Sequence, residues 1–521
     1  MNFIQRIKLH NFRRFPTFEA DLNPQLNIFV GDNESGKSSI LLAIDLTLSG
    51  NRSRVESIGL ENLFHKNAIM TFLDSNRSTA ALPHLEIELY LNEQNNPDLN
   101  GTNNSDGRNC DGLLLRCEPD DQYLMEIAEV LQEDPPNFPF EYYDINFNTF
   151  SGKAYNPYNK PLRHLHIDSA QINNEYATRE YIKDLYTANV VGAEKHRHKN
   201  RYRKLKEDFR SDVLLDLNSR IDSYDFVLRT SGRASLETDL TIEESGITIE
   251  NRGRGRQCFI KTEFALSRSE SSTPISILLL EEPENHLSHL NMRRLVDSIK
   301  DRSQKQVIIA THSNLISSRL DLRKCILLNS NSTEPVRLND LSQGTAEFFM
   351  KAPDNGVLEF ILSTRVILVE GDAEYILAER FFQRQAGTPS YEAGVHIISV
   401  GGTSFKRYLE LAALLNIKTA VVRDNDGNYQ QNCVDSYSDF TSDNIKIFAD
   451  EDDSRHTFEI SLYECNQEIC QEVFRRARRT LSVQEFMLGN KTEAAFDLLR
   501  SKGDEIVSPH YITDAIEWIR E

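Results

Sequence analysis

The chain has 521 residues, of which 39% are hydrophobic and 26% are charged, so its composition predicts a globular protein of about two or three domains. The formal net charge of −20 argues against a protein that coats nucleic acid through bulk charge attraction. There is no apolar run long enough to span a bilayer, no signal-peptide core and no CxxC pair among the seven cysteines. We therefore expect a cytoplasmic protein without a membrane segment, a disulfide framework or a zinc site.

The N-terminal part is rich in alternating strands, and one of these strands leads into a glycine-rich loop. Residues 27–38 read NIFVGDNESGKS, which has the spacing of a phosphate-binding loop. Glycines let backbone N–H groups surround phosphate oxygens, while the lysine serves the outer phosphates and the serine serves Mg²⁺. A helix predicted at 39–48 points its positive end at the same phosphates. The predicted ATP ligands of this segment are Gly31, Asn33, Gly36, Lys37, Ser38 and Ser39.

Two later apolar strands end in residues that suit ATP hydrolysis. Residues 275–282 read ISILLLEE, which places Glu281 to hold Mg²⁺ and Glu282 to orient the attacking water. The strand at 307–310 runs into His312, which is placed to contact the γ-phosphate. A chance glycine-rich turn and an ordinary loop histidine are the alternatives, and the occurrence of all three motifs favours the ATP site.

Between these motifs, a polar and helix-like stretch at about 170–230 is interpreted as a helical insertion. The basic residues of the chain cluster there, at Lys195, Arg197, Lys199, Arg201, Arg203, Lys204, Lys206 and Arg210. This cluster supports a solvated helix face and a DNA contact about equally.

From residue 365 onward, short apolar strands alternate with helices, which predicts a parallel α/β sheet. One strand ends in Glu370, with Glu374 four residues later, and another ends in Asp424 and Asp426. Carboxylates at neighbouring strand ends repel one another unless a cation lies between them, and Mg²⁺ and Mn²⁺ prefer such oxygen ligands. Helix caps and solvated loop acids are the alternative interpretation. The glycine-rich turn at 400–404 either brings a DNA backbone close or is simply a tight connection.

The ATP-site motifs resemble those of ABC-type ATPases of the RecF/SMC and OLD (overcoming lysogenization defect) families, and the opening IKLHNFRRF resembles their first strand. This resemblance implies two heads that share ATP, each completed by a signature motif from the other. The best signature candidate, NRGRGRQ at 251–257, departs from the usual Ser-Gly-Gly-Gln form. Glu281 also stands where an aspartate is commoner.

The Glu-Gly and Asp-x-Asp pattern of the C-terminal part resembles the Toprim domain of topoisomerases, primases and OLD nucleases. The resemblance implies that one metal is held by Glu370, Asp424 and Asp426. It also implies that Glu374 and Glu459 help to hold a second metal and that Lys491 steadies transition-state charge. An ATPase followed by a Toprim domain points to the OLD nucleases, which include the nuclease subunit of Gabija-type phage defence.

We therefore predict an α/β chain with an ABC-type ATPase head at 1–355, which carries the helical insertion, followed by a Toprim parallel α/β domain at 360–521. The expected function is that of an ATP-regulated DNA endonuclease in anti-phage or anti-plasmid defence, with ATP and Mg²⁺ or Mn²⁺ as cofactors. Glu282 and Lys491 are its predicted catalytic residues. DNA and a homodimer or higher oligomer are the expected partners, and a helicase or a reverse transcriptase with its DNA product is left open. The rival is a non-cleaving RecF-like repair or sensor ATPase with a scaffold Toprim module.

Overall fold

The computed structural model describes residues 2–133, 137–169, 182–183, 186, 190, 192–220, 225–228, 236–257, 259–260, 276–285, 287–301, 305–313, 316, 320–329, 332–351, 356–402, 404–475 and 481–521. The chain forms two compact units, of which the first comprises Met1–His312 with Ile326–Pro335 and the second Ser313–Cys325 with Val336–Glu521. None of the helices in the described ranges is long and apolar enough to cross a membrane. The domain boundary placed near residue 355 stays a prediction.

The strands, in chain order, are β1 (Ile4–Phe12), β2 (Phe15–Asp21), β3 (Leu26–Gly31), β4 (Leu85–Leu91), β5 (Asn100–Gly101), β6 (Cys110–Pro119), β7 (Tyr143–Thr149), β8 (His164–Asp168), β9 (Glu243–Glu244), β10 (Ile247–Thr248), β11 (Ile277–Glu281), β12 (Gln306–Thr311), β13 (Cys325–Leu328), β14 (Val336–Arg337), β15 (Arg365–Val369), β16 (His396–Ser399), β17 (Lys418–Val422) and β18 (Ile445–Phe448).

The α-helices are α1 (Lys37–Ser49), α2 (Arg52–Ile58), α3 (Lys66–Leu73), α4 (Leu124–Leu131), α5 (Gly192–Asp212), α6 (Leu215–Asn218), α7 (Leu236–Asp239), α8 (His289–Asp301), α9 (Gln343–Lys351), α10 (Val357–Leu362), α11 (Asp372–Ala386), α12 (Phe405–Leu415), α13 (Phe458–Cys465), α14 (Gln467–Phe474), α15 (Val483–Gly489), α16 (Lys491–Lys502) and α17 (His510–Arg520).

The first unit is built on two sheets with α1 between them. One sheet is antiparallel, in the order β2–β1–β4–β6 with β5 and β7 on β6, and the other runs β13–β3–β12–β11–β8. In the second sheet β3, β12, β11 and β8 are parallel, so their carboxyl ends lie along one edge. Helix α1 contacts β4 and β6 on one side and β12 and β11 on the other. It is therefore apolar around most of its circumference, and Ile40, Leu41 and Ile44 are fully buried.

One segment of the first unit, between the predicted strands at 275–282 and 307–310, is a helix that the sequence analysis did not predict. Helix α8 lies between β11 and β12, as a parallel crossover requires. Its buried residues Met292, Leu295, Val296 and Ile299 have the i, i+3, i+4, i+7 spacing of an amphipathic helix. The charged residues between them obscured this helical periodicity in the sequence. Part of the predicted insertion lies outside the described residues, and its described part contains α5 and α6.

The second unit contains a four-stranded sheet in the order β16–β15–β17–β18, in which all neighbouring strands are parallel. Helices α11, α17 and α12 pack on its strands, and apolar residues of α11, α16 and α17 form its main core. This confirms the predicted parallel α/β sheet, and it brings the ends of β15, β17 and β18 to one edge. The residues that follow these ends form the candidate metal centre.

Candidate nucleotide site and candidate metal centre

The predicted phosphate loop connects β3 to α1 and is shaped by two glycines. A Cβ atom on Gly31 would lie 2.3 Å from the carbonyl oxygen of Leu328. A Cβ atom on Gly36 would lie 2.4 Å from Cζ of Phe15, and the φ of +97° at Gly36 is in the left-handed region. A side chain at either position would clash with these neighbours, so both positions require glycine.

Lys37 is held inside this loop by backbone carbonyl groups. Its Nζ donates hydrogen bonds to the carbonyl oxygens of Gly31, at 2.8 Å, and Asp32, at 2.9 Å. Burial lowers the pKa of Lys37, and nearby carboxylates, of which Glu282 is the strongest, oppose that shift. The ammonium group is therefore fixed close to the loop backbone, whose N–H groups are the predicted phosphate donors.

The other predicted ligands of the nucleotide lie on the loop and on the first turn of α1. Asn33 and Ser38 are exposed, and Ser39 is half-buried. Burial acts to raise the pKa of Glu281, but hydrogen bonds from His166 and from the Ser38 hydroxyl outweigh it, so that the pKa is lowered. The serine and the acid that are predicted to bind Mg²⁺ are thus neighbours, and both offer oxygen atoms, which Mg²⁺ prefers as ligands.

Glu282 and His312 form an ion pair at the ends of β11 and β12. The backbone N–H of Glu282 donates to the carbonyl oxygen of Ala310 at 2.8 Å, which ties the end of β11 to β12. His312 Nδ1 lies 2.6 Å from Glu282 Oε2, and the histidine side chain is 53% exposed. The structure therefore brings together the acid predicted to orient water and the predicted γ-phosphate sensor.

Glu284 is an acid of this site that the sequence analysis did not single out. Its Oε1 accepts hydrogen bonds from Thr311 Oγ1, at 2.5 Å, and from the backbone N–H of His312, at 3.2 Å. Burial and the neighbouring Glu282 raise the pKa of Glu284 to about 7. Ligand atoms of Glu282, Glu284 and His312 lie within 4.8 Å of one another. The position of Glu284 directly after the Glu-Glu-Pro segment is the sequence signal that could have identified it.

A second group that the sequence analysis missed surrounds Asp45, on the buried face of α1. Asp45 Oδ1 lies 2.8 Å from His164 Nε2, and Asp45 Oδ2 lies 3.2 Å from His166 Nδ1. Arg54 also forms an ion pair with Asp45 Oδ2. On its other side, His166 Nε2 lies 3.6 Å from Glu281 Oε2, so this group reaches the predicted Mg²⁺ ligand.

The candidate signature segment at 251–257 makes local contacts. Gln257 Nε2 donates to the carbonyl oxygen of Arg252 at 2.8 Å, and Arg256 Nε lies 3.0 Å from a carboxylate oxygen of Glu244. These contacts order the segment within the first unit. Its role as a signature motif stays a prediction.

In the second unit, Glu370 and Asp424 follow the neighbouring strands β15 and β17. The backbone N–H of Asp424 is 3.4 Å from Glu370 Oε2, and Asp424 Oδ1 accepts a hydrogen bond from the N–H of Phe458 at 2.7 Å. The N–H of Gly402 donates to the carbonyl oxygen of Glu370 at 2.9 Å, so the glycine-rich turn lies beside the same strand end. Thr403 of that turn lies outside the described residues.

Three more of the predicted Toprim residues join this group from helices. Glu374 lies in the first turn of α11 and Glu459 in the first turn of α13, and both side chains are buried. Lys491 begins α16, and its Nζ lies 2.8 Å from Glu459 Oε2. Glu459 Oε1 is buried and has no hydrogen-bond partner among the residues that the structure describes.

Burial and neighbouring carboxyl groups raise the pKa values of two acids in this cluster, Asp424 and Glu374. Burial, followed by Glu374 and Glu370, raises the pKa of Asp424 to about 8. Burial, followed by Glu459 and Glu370, raises the pKa of Glu374 to about 7. Buried acids that ionise with difficulty, together with a buried oxygen that lacks a donor, fit the binding of a divalent cation to these oxygen ligands.

Asp426 is oriented differently from the other predicted metal ligands. Its Oδ2 accepts a hydrogen bond from Arg423 at 2.8 Å, and its side chain is 54% exposed. The buried Arg423 also donates to the carbonyl oxygens of Asp424 and Asn432. Arg423 therefore fixes the turn after β17, and Asp426 lies at the solvent side of the cluster.

The basic residues of α5 divide into two faces. Lys199 Nζ lies 2.7 Å from Glu237 Oε1, and Lys206 Nζ lies 3.8 Å from Asp239 Oδ2, so one face is paired with α7. Lys195 also faces Glu237, at 3.6 Å.

The opposite face of α5 carries Arg197, Arg201 and Lys204, spaced at i, i+4 and i+7. No ion pair of these three residues is found within the described part of the chain. Of the two interpretations of the basic cluster, the solvated or paired face holds for Lys195, Lys199 and Lys206, and the DNA contact stays a prediction for the other face.

Two family models match the chain. The AAA ATPase domain matches residues 3–206, and the Overcoming lysogenization defect protein-like TOPRIM domain matches residues 361–426. DNA replication and repair protein RecF of Streptococcus uberis is 36% identical over 95 residues, which are 18% of this chain and 24% of that protein. The chain thus spans about a quarter of the length of this curated relative.

Parts of the chain are also similar to solved structures. The C-terminal region of the Xanthomonas campestris pv. campestris OLD protein is 25% identical with a TM-score of 0.25, over 31% of this chain and 94% of that one. The SMC head domain from Thermotoga maritima is 14% identical with a TM-score of 0.28, over 63% of this chain and 94% of that one.

The two family models occur in the order that the motifs predict, with the ATPase before the Toprim domain. The Toprim model is the one described for OLD-like proteins, and it spans Glu370, Glu374, Asp424 and Asp426. The chain therefore joins an ATPase domain to an OLD-like Toprim domain.

Proposed function

We propose that the chain is an ATP-regulated, metal-dependent DNA endonuclease that acts in defence against phage or plasmid DNA. The observation that carries this proposal is the buried group of Glu374, Asp424 and Glu459, with Lys491 beside it, at the carboxyl edge of the second unit's sheet. Such a concentration of carboxylates supports a function in which they share divalent cations. The OLD family adds to this support through its Toprim nucleases.

Mg²⁺ or Mn²⁺ bound at this edge would supply Lewis-acid stabilisation and a nucleophilic hydroxide for phosphodiester hydrolysis. Glu370, Asp424 and Asp426 would hold one cation, and Glu374 and Glu459 a second. The Asp426 carboxylate would break its ion pair with Arg423 and join Glu370 and Asp424 at the first cation. Lys491 is 48% exposed, so its ammonium group can reach a bound phosphate and stabilise the charge that develops on it.

The ATPase domain would regulate cutting through the same residues that hold the nucleotide. Lys37 and Ser38 would bind the phosphates and the Mg²⁺ of ATP, and Glu281 would complete the shell of that ion. Glu282 would orient the attacking water, and His312 would exchange its contact with Glu282 for one with the γ-phosphate. We assign this function to residues 1–355 and the cutting function to residues 360–521.

DNA would be the substrate, and a second copy of the chain the most direct partner, because each ATP site of an ABC-type head is completed by another head. A helicase or a reverse transcriptase with its DNA product remains a further candidate partner. The rival function is that of a non-cleaving RecF-like repair or sensor ATPase, which the local similarity to RecF supports.

Nicking of supercoiled plasmid, with ATP hydrolysis measured in parallel, separates the two functions. We expect Asp424→Ala to lower nicking by about 100-fold or more, because it removes a direct metal ligand, and to leave ATP binding unchanged. Lys491→Ala should slow nicking by about 100-fold while the protein still binds Mn²⁺, since the lysine acts on charge and not on coordination.

Asp443→Ala is the matched control, because Asp443 is an exposed acid of the same unit that lies outside the cluster. It should nick plasmid at the parental rate. Equal nicking by the parent and Asp424→Ala would show that the cluster does not cut DNA and would favour the RecF-like function.

A further inference from the structure

The buried ion-pair group around Asp45 has no place in the nucleotide-binding scheme described so far. Asp45 is on α1, the helix that begins at Lys37, and only 2% of its side chain is exposed. Burial acts to raise the pKa of Asp45, but its histidine and arginine neighbours outweigh it and hold that pKa well below its usual range. Asp45 is therefore a buried anion, and the loss of its partners would leave that charge buried and unpaired, which is costly.

His166 connects this anion to the nucleotide site. Strands β8 and β11 are parallel neighbours, with His166 opposite Leu279 and Asp168 opposite Glu281. The imidazole lies between two carboxylates, with Nδ1 3.2 Å from Asp45 Oδ2 and Nε2 3.6 Å from Glu281 Oε2. Nε2 is buried and makes no hydrogen bond of normal length within the described residues. A small movement of Glu281 would convert this ion pair into a hydrogen bond.

Of the two histidines on β8, His166 contacts both Asp45 and Glu281. The other histidine on the same face of β8, His164, contacts Asp45 and not Glu281. His166 is thus the histidine of this pair that reaches the nucleotide site.

Glu281 has a physical need for such a partner. It stands where an aspartate is commoner, and its side chain has one more rotatable bond than aspartate. A longer side chain samples more rotamers and loses more entropy when it is held in one geometry. A fixed imidazole on the neighbouring strand reduces that cost by restricting the carboxylate before Mg²⁺ arrives.

We propose that His166 is a positioning residue for the ATP-bound Mg²⁺, which anchors Glu281 to Asp45 and so joins the phosphate-loop helix α1 to strand β11. This proposal rests on the proposed ATPase function and deepens it. His166 acts through Glu281 and does not touch the nucleotide. Its effect should therefore appear in the Mg²⁺ requirement of nucleotide binding, whereas binding without Mg²⁺ should not change.

Two substitutions of His166 separate its two contacts. In His166→Asn, the amide nitrogen takes the place of Nδ1, so the contact with Asp45 is kept and the one with Glu281 is lost. In His166→Gln, the amide nitrogen takes the place of Nε2, so the reach to Glu281 is kept. His164→Ala is the matched control, because it removes a hydrogen bond to Asp45 at 2.8 Å without touching Glu281.

The measurement is equilibrium binding of a fluorescent ATP analogue by the full chain as Mg²⁺ is titrated, with a parallel titration in EDTA. We expect His166→Asn to raise the Mg²⁺ concentration for half-maximal binding by about 10-fold or more, as is usual when a partner of a metal ligand is removed. His166→Gln also loses the contact with Asp45, so it should raise the Mg²⁺ midpoint too, but by less than His166→Asn. His164→Ala should keep the parental midpoint, although it should melt at a lower temperature.

A parental Mg²⁺ midpoint in folded His166→Asn would overturn the proposal. If His166→Asn does not fold, His166→Gln decides, and a parental midpoint in that variant would overturn the proposal as well. Failure of the parent itself to bind the analogue would contradict the proposed ATPase function, and so the two failures are distinguishable.

Discussion

Glu282 and His312 are in direct contact, and the predicted role of Glu282 sets what a substitution there should do. His312 Nδ1 lies 2.6 Å from Glu282 Oε2. His312 follows β12, which pairs with β3, the strand that leads into the phosphate loop. We expect Glu282→Gln to bind ATP like the parent but to hydrolyse it about 100-fold more slowly or worse, because the amide cannot accept the proton of the attacking water. Nucleotide affinity and steady-state phosphate release measure the two effects separately.

Lys37→Ala gives the opposite pattern and serves as the control for this variant. It removes the ammonium group that Gly31 and Asp32 hold in place, so ATP binding itself should fail. Normal phosphate release by Glu282→Gln would place the base elsewhere. Glu284 would then be the next residue to test, because it shares the same carboxylate group and hydrogen-bonds the N–H of His312.

At the scale of the element, the strand ends of the second unit should make the stability of the metal-free protein depend on pH. The folded-state pKa values of Asp424 and Glu374 are raised to about 8 and about 7, above the value of about 4 for unfolded carboxyl groups. The folded state therefore binds these protons more tightly than the unfolded state. This contribution to stability is present below about pH 4 and is lost as the pH rises through 7 to 8.

Thermal denaturation in EDTA at about pH 6 and about pH 8.5 measures this effect. The melting midpoint should be lower at the higher pH, by about 2–4 °C for each kcal/mol lost in a unit of this size. Asp424→Asn should reduce the drop, and Mn²⁺ should reverse it by neutralising the carboxylates. Identical midpoints at both pH values in EDTA would show that these acids are not a destabilising cluster.

The strand-and-helix alternation of the second unit was predictable because each element carries a local signal. The sequence predicts α12 at 405–415, which are its observed bounds. It predicts β15 at 366–369, α11 at 373–385 and β17 at 419–422, and each observed end lies within one residue of the predicted one. Buried parallel strands are continuously apolar, and the acids directly after them mark the strand ends. Helix α8 was missed because its apolar residues are separated by charged ones, so that only the i, i+3, i+4 spacing identifies it.

The candidate sites were only partly predictable, because some of their contacts are distant in sequence. Lys37, Glu282 and His312 stand in recognisable motifs, and the structure brings Glu282 and His312 together. Asp45 and His164 are separated by 119 positions, and neither stands in a motif. The pairing of Asp426 with Arg423 also depends on the orientation of side chains after β17, which spacing alone does not determine.

At the scale of the whole molecule, the net charge of −20 and the exposed apolar residues of the insertion bear on assembly. Leu205 and Phe209 lie on one face of α5 at i, i+4, and Val213 and Leu215 follow directly after it. All four are exposed, with Leu205 at 64% and Val213 at 58%. Exposed apolar residues that cluster in this way are typical of an interaction surface.

We expect the protein to form a homodimer or higher oligomer that uses this surface together with the ATPase heads. Leu205→Glu with Phe209→Glu would place two like charges on the apolar face, and repulsion between copies should weaken association by about 10-fold or more. Lys204→Ala is the matched control, because Lys204 directly precedes Leu205 but points from a different face of α5. The oligomeric state of this variant should be that of the parent. Light scattering over a concentration series gives the oligomer mass, and the ATPase rate measured on the same samples should fall as the assembly dissociates, since each head depends on another to complete its site. A parent that is monomeric at every concentration and retains full ATPase activity would contradict this expectation, because a single copy would then contain every residue that hydrolysis requires.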